Sequence, residues 1–157
     1  MAHIIRSVRP VRWLYSLALG FAGCTIVSAP PPDYVPFGFN ADEPAEEHAP
    51  IITEAAGHLR ADPELHVLVV GHTDSVGSEE YNAELSLRRA SEVRNRLIAD
   101  GIAEHRIRWA ARGEGEPRSE GDSADSRALN RRVELFYFYP NEGPVERQYG
   151  FTLRFGS

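Results

Sequence analysis

The chain predicts an α+β domain of order βαβαββ, with helices packed on a mixed β-sheet, and three observations carry that expectation. Residues 65–70 form a short, continuous, valine-rich run, the pattern of a strand covered on both faces. The segments on either side of it, residues 45–61 and 78–100, repeat apolar residues at helical spacing. Two more strand-like runs, residues 107–111 and 132–139, follow with only a polar, glycine-rich loop at 112–125 between them. Strands interleaved with helices and ending in two successive strands imply helices layered on a mixed sheet.

Taken in order, residues 34–40 read as a first strand, with Pro36 confining it to a sheet edge because proline cannot donate to a ladder. Residues 45–61 follow as a helix whose apolar face is Ile51, Ile52, Ala55, Ala56 and Leu59, and Asp62-Pro63 stops it. The strand at 65–70 opens into a loop at 71–77. Ser78 can cap the next helix, Glu79 and Glu80 lie favourably at its positive end, and Asp100-Gly101 closes it. In the tail, Tyr149, Phe151, Leu153 and Phe155 alternate with Gly150, Thr152, Arg154 and Gly156, a period of two that suggests an extra strand or a partner-binding edge.

The 157 residues suit one domain with short appendages. Seventeen basic residues against 23 acidic ones give a formal charge of −6, and without Arg6, Arg9 and Arg12 at the start it becomes −9. So acidic a chain argues against a nucleic-acid partner, whose phosphates need clustered cations. Every Lys or Arg position is Arg, which favours planar, two-pronged anion contacts wherever a cation matters.

Residues 1–23 have the form of a secretory signal: a basic start, an apolar stretch from Trp13 to Phe21, then small residues before Cys24. That stretch is too short for a hydrocarbon core requiring about 20 residues. Phe21-Ala22-Gly23-Cys24 resembles a bacterial lipobox, with Phe21 where leucine is usual, and this implies a lipidated Cys24 as the mature N-terminus. The alternative is an ordinary signal or uncleaved anchor with an incidental thiol. Thr25 is not the Asp that commonly retains such proteins at the inner membrane, so the resemblance implies the outer membrane. The expected organisation is a signal at 1–23, lipidated Cys24 with a Pro-rich tether at 24–33, a domain at 34–139 and an extension at 140–157.

Four-residue spacing puts Leu85, Arg89, Val93 and Leu97 on one helix face. A guanidinium held against a core flank needs an anion, and Asp74, in the loop before this helix, is the nearest by architecture. Two arrangements satisfy the spacing: an internal Asp74–Arg89 ion pair that fixes the loop, or a divided charge pair in which Asp74 faces an ammonium and Arg89 clamps a carboxylate. Strand alternation puts Arg131 on the face of Val133 and Leu135.

The run Gly71-His72-Thr73-Asp74, the helix residues Tyr81, Asn82, Leu85, Ser86, Arg89 and Ala90, and Asn130-Arg131-Arg132-Val133-Glu134 together resemble the OmpA-like domain, over roughly residues 34–139. The resemblance implies a non-catalytic module that binds peptidoglycan through diaminopimelate of the stem peptide, Asp74 taking the free amino group and Arg89 the carboxylate. It also implies polar contacts from Asn82 and Asn40, and a lining role for Arg131 or Arg132, of which Arg131 is favoured. With the lipobox, the implied whole is a lipid-anchored outer-membrane protein facing the periplasm. The first strand departs from the family at Gly38, where an Asp is common, so one carboxylate is missing; Ser126 stands where Gly often precedes the Arg-rich segment.

Two other function classes compete. His72 and Asp74 as metal ligands, or Ser75, Ser78 or Ser86 as a nucleophile, would make an enzyme, but neither G-x-S-x-G nor H-E-x-x-H occurs and no third ligand is spaced to join the pair, so neither enzyme activity nor a cofactor is expected. The domain could instead serve mainly as a protein-interaction part of an envelope complex of the Tol-Pal type or a secretion apparatus. The acidic loop after Glu114 and the alternating tail are its candidate surfaces.

Overall fold

The computed structural model describes residues 29, 30, 32–143 and 145. Cys24, the expected signal at 1–23, most of the expected tether and the alternating residues 149–155 lie outside the described residues.

The elements are β1 (Asp33–Pro36), α1 (Ala49–Ala61), β2 (His66–Gly71), α2 (Glu79–Ala99), β3 (Ile107–Ala111), α3 (Ala124–Asn130) and β4 (Arg132–Phe138). The strands form one mixed sheet in the order β1-β4-β2-β3: β4 runs antiparallel to β1 and β2, and β3 parallel to β2. In register, Gly71 lies opposite Val133 and beside Ala111. The C-terminal ends of β2 and β3 therefore meet the start of β4 at one end of the sheet. This end carries the candidate site.

Strand alternation divides the core. Val35, Val67, Val69, Val133, Leu135 and Tyr137 face α1 and α2 and pack on Ile52, Ala55, Ala56, Leu59, Ala90, Val93 and Leu97. On the other face Leu68, Val70, Ala110 and Phe138 pack with Val145 of the C-terminal extension. β2 is thus buried on both faces, as its unbroken apolar run predicts. Among the described residues no helix is long and apolar enough to cross a membrane.

α2 starts where the sequence predicts, with the Ser78 hydroxyl accepting from the Tyr81 N–H at 3.2 Å. It ends at Asp100 and Gly101, whose φ of +88° suits glycine. Its approach to the sheet is set by Gly71: a Cβ at that position would lie 1.9 Å from the Ser86 carbonyl oxygen. The missing side chain lets α2 lie directly against the end of β2.

Two local expectations differ from the structure. The first strand ends at Pro36 instead of running on to residue 40, because beyond the Pro36–Arg132 pairing the chain turns through Asn40, whose φ is +54°. Between β3 and β4, the seven-residue α3 is an additional helix, capped by the Ser123 hydroxyl accepting from the Ser126 N–H at 3.0 Å. Its only buried residue is Asn130, so no apolar periodicity announces it.

Candidate functional site

The site forms where the segment after β2 passes between α2, the 37–41 turn and the α3–β4 junction. Asp74 is 5% exposed, and its carboxylate is held on both oxygens: Oδ1 accepts from the Val76 N–H at 3.3 Å and Oδ2 from Arg131 Nη1 at 3.0 Å. Arg131 is the C-terminal cap of α3, just outside the strand in which alternation would have oriented it. Its Nε also donates to the Phe37 carbonyl at 3.3 Å. The ion-pair partner of Asp74 is therefore Arg131, and the internal Asp74–Arg89 bridge allowed by spacing does not form.

Arg89 is fully shielded from solvent and meets its need for acceptors through the backbone. Nε donates to Ala41 O at 2.8 Å, Nη1 to His72 O at 2.9 Å and Nη2 to Gly38 O at 3.1 Å. The guanidinium carbon lies 5.2 Å from the centre of the Phe37 ring, a favourable cation–aromatic contact. Guanidinium has five N–H groups. Each terminal nitrogen thus has one N–H beyond these bonds, and the Asp74 and Arg131 charges lie near enough to act on the group. Burial pulls the Arg89 pKa down to about 10, opposed by the nearby Asp74 charge and assisted by Arg131, so the side chain is a cation at neutral pH.

Asn82 is buried, and its amide nitrogen donates to Asp74 O at 3.3 Å and to Glu114 Oε2 at 2.7 Å, while its side-chain oxygen has no partner. Asn40 is exposed at the rim, where its side-chain oxygen accepts from the Tyr81 hydroxyl. Hence Asp74, Arg131, Arg89 and Asn82 share one end of the sheet, joined by side-chain or backbone bonds, with Asn40 at the edge. Arg132 is turned elsewhere: its Nε pairs with Glu134 at 2.6 Å, and its terminal nitrogens donate to the carbonyls of Asn130 and Glu116. Phe37 and Tyr81 are site residues that sequence reasoning did not select, since they act through a carbonyl and ring in one case and by fixing Asn40 in the other. The sequence signals that could have found Tyr81 are its place beside Asn82 in the motif and the Ser78 cap, which puts it in the first turn of α2.

His72 supplies the site with its carbonyl, not its ring. The ring is buried, its Nε2 is 3.7 Å from Glu134, and burial lowers its pKa to about 3, with Arg132 and Arg112 adding to the effect. It is neutral at physiological pH. Among the described residues no group of three or more His, Cys, Asp or Glu side chains is arranged to hold a metal ion. What the arrangement offers chemically is a shielded carboxylate beside two guanidinium groups at the end of the sheet, opposite charges side by side as a ligand with both an ammonium and a carboxylate requires.

Residues 37–131 match the family described as the OmpA family. A peptidoglycan-associated lipoprotein of Legionella pneumophila is 36% identical over 101 residues, covering 64% of this chain and 57% of the relative, so the chain spans little over half of that protein's length. Among solved structures, the peptidoglycan-associated lipoprotein of Burkholderia pseudomallei is 30% identical with a TM-score of 0.65, covering 67% of this chain and 89% of that one. The cell wall anchor of the T6SS from Pseudomonas aeruginosa is 33% identical with a TM-score of 0.55, covering 66% and 73% respectively.

Proposed function

The chain belongs to the OmpA family, and from that premise we propose that it binds peptidoglycan non-covalently and ties it to the outer membrane through a lipid on Cys24. The observation that carries this is the niche itself, in which the Asp74 carboxylate stands beside two guanidinium groups, the charges that the ammonium and carboxylate of one diaminopimelate centre require. In this function the ammonium of a diaminopimelate side chain displaces Arg131 from Asp74. Arg131 at the mouth, with its side chain 16% exposed, then joins the uncommitted N–H groups of Arg89 at the floor in holding the carboxylate. Asn82 fixes the backbone of Asp74, and Asn40 with Tyr81 forms the rim. Binding by preformed groups requires neither turnover nor a cofactor. The domain faces the periplasm, and the names of the Legionella and Burkholderia relatives support both parts of the proposal.

Titration of the protein with free diaminopimelate, against 1,5-diaminopentane as control, tests the divided charge pair, because the diamine keeps both ammonium groups but lacks the carboxylate beside each. Diaminopimelate should bind at least tenfold more tightly, consistent with about 1.5–3 kcal/mol for a charged hydrogen-bonded contact. Equal affinities would contradict the proposed role of the arginines. A role in an envelope assembly is the second reading. The name of the T6SS cell wall anchor supports it.

A further inference from the structure

β2 and β4 carry apolar side chains on both faces of the sheet, and the two faces are covered unequally. One holds α1 and α2. On the other, Leu68 and Val70 stand at the centre, with Phe136 of β4 opposite Leu68 and Ala110 of β3 beside Val70. Leu68 is 0% exposed, Val70 2%, Phe138 3% and Ala110 5%. Among the described residues, the one apolar side chain from outside the sheet that packs on this group is Val145.

A single valine does not account for that burial. Neighbouring strands lie about 4.8 Å apart and alternate residues of one strand about 6–7 Å, so the group extends over three strands and roughly 10 Å of sheet. The loop between β3 and α3 covers the site end of this face, where Arg118 stacks on the Tyr34 ring at 3.9 Å and Arg132 donates to the Glu116 carbonyl. It leaves Leu68, Phe136 and Phe138 to another cover.

The two ends of the described chain approach opposite faces. Ala29 packs against the helix-side core, whereas Val145 packs on the other face. Tyr149 follows Val145 by four residues, at most about 14 Å of extended chain, so the tail begins within reach of the uncovered group. In an extended segment the period of two puts Tyr149, Phe151, Leu153 and Phe155 on one side and Gly150, Thr152, Arg154 and Gly156 on the other. Six steps of about 3.3 Å make that apolar side roughly 20 Å long, enough to span the sheet.

We infer that residues 146–157 of this chain cover the second face of the sheet, with Tyr149, Phe151, Leu153 and Phe155 turned toward Leu68, Val70, Phe136 and Phe138. The tail is then a third layer of the domain, behind helices and sheet, and not an arm held out to a partner. Its short tether gives it an effective concentration in the millimolar range over its own sheet, which favours it over the tail of a second copy. The wall site at the end of the sheet uses none of these residues, so the cover can fail without it.

The test is a search for nuclear Overhauser contacts between the Leu68 and Val70 methyl groups and the tail's aromatic rings, in the full-length protein in detergent. Contacts to Tyr149, Phe151 or Phe155 are the expected result, and they should vanish in a mixed sample where methyl and ring labels sit on different copies. In an F151S/F155S variant, relaxation of the Leu68 and Val70 methyl groups by a water-soluble paramagnetic agent should rise several-fold, while the response to diaminopimelate at Asp74 and Val76 persists. Absence of contacts in the unmodified protein, contacts found only between differently labelled copies, or methyl groups equally shielded in the variant would overturn the cover.

Discussion

Arg89 shows how a side chain that the fold buries can also be the one a proposed ligand requires. Of its three acceptors only the His72 carbonyl lies in a buried bond, so Arg89→Ala would strand that acceptor at about 1–3 kcal/mol, while water can reach the exposed Gly38 and the half-buried Ala41. With the volume vacated by a fully buried side chain added, stability should fall by at least about 2 kcal/mol, and Asp74→Ala, which unpairs Arg131 and removes the anion beside the buried Arg89, should lower it as well. Comparing the two unfolding curves with that of the unmodified protein checks this. The spacing of Leu85, Arg89, Val93 and Leu97 revealed that Arg89 is buried and needs acceptors, but not that the acceptors are backbone, since carbonyl positions depend on the 37–41 turn. His72 carries a pH signature of its own. Its folded pKa of about 3 lies below the ordinary 6.5, so the unfolded chain binds a proton first as the solution is acidified. Its contribution is complete above pH 6.5 and is lost toward pH 3, at up to about 1.4 kcal/mol per pH unit. His72→Leu should flatten this part of the acid limb in urea melts between pH 7 and 4; an unchanged slope would show that His72 does not carry it.

At the scale of elements, the contact of α2 with β2 at Gly71 governs the site, since β2 leads to Asp74 and α2 bears Arg89 and Asn82. A Cβ 1.9 Å from the Ser86 carbonyl forces the helix to move, so Gly71→Ala should cost more than the usual 1–3 kcal/mol of overpacking and weaken ligand binding with it. Chemical denaturation with a parallel diaminopimelate titration measures both effects. The long elements were legible because burial imposes a period on them: β2 is buried from Val67 onward and apolar there, β3 covers residues 107–111 as expected, and Ser78 and Gly101 mark the ends of α2. α3 was not legible, because its seven residues answer to Ser123 capping and to Asn130, which exchanges two hydrogen bonds with the Ser119 backbone, not to an apolar face. Arg131 came to notice by strand alternation, yet it reaches Asp74 from the cap of that unforeseen helix.

For the molecule as a whole, the proposal joins a domain that holds the wall to a lipid that holds the membrane, and the two attachments should separate cleanly. Lasting membrane attachment usually needs more than one anchoring signal, which a multiply acylated cysteine would provide. Cys24→Ser should therefore release the protein from the outer-membrane fraction and leave it with the sacculi. Continued membrane association would contradict the anchor. The most direct test of the central claim is co-sedimentation of the protein with purified diaminopimelate-type sacculi, beside Asp74→Ala checked for folding by circular dichroism. The account predicts that the unmodified protein pellets and that the folded variant binds roughly 10- to 100-fold more weakly, the loss of one charged contact. A folded, unmodified protein that stays in the supernatant, or an Asp74→Ala variant that pellets as well, would contradict it.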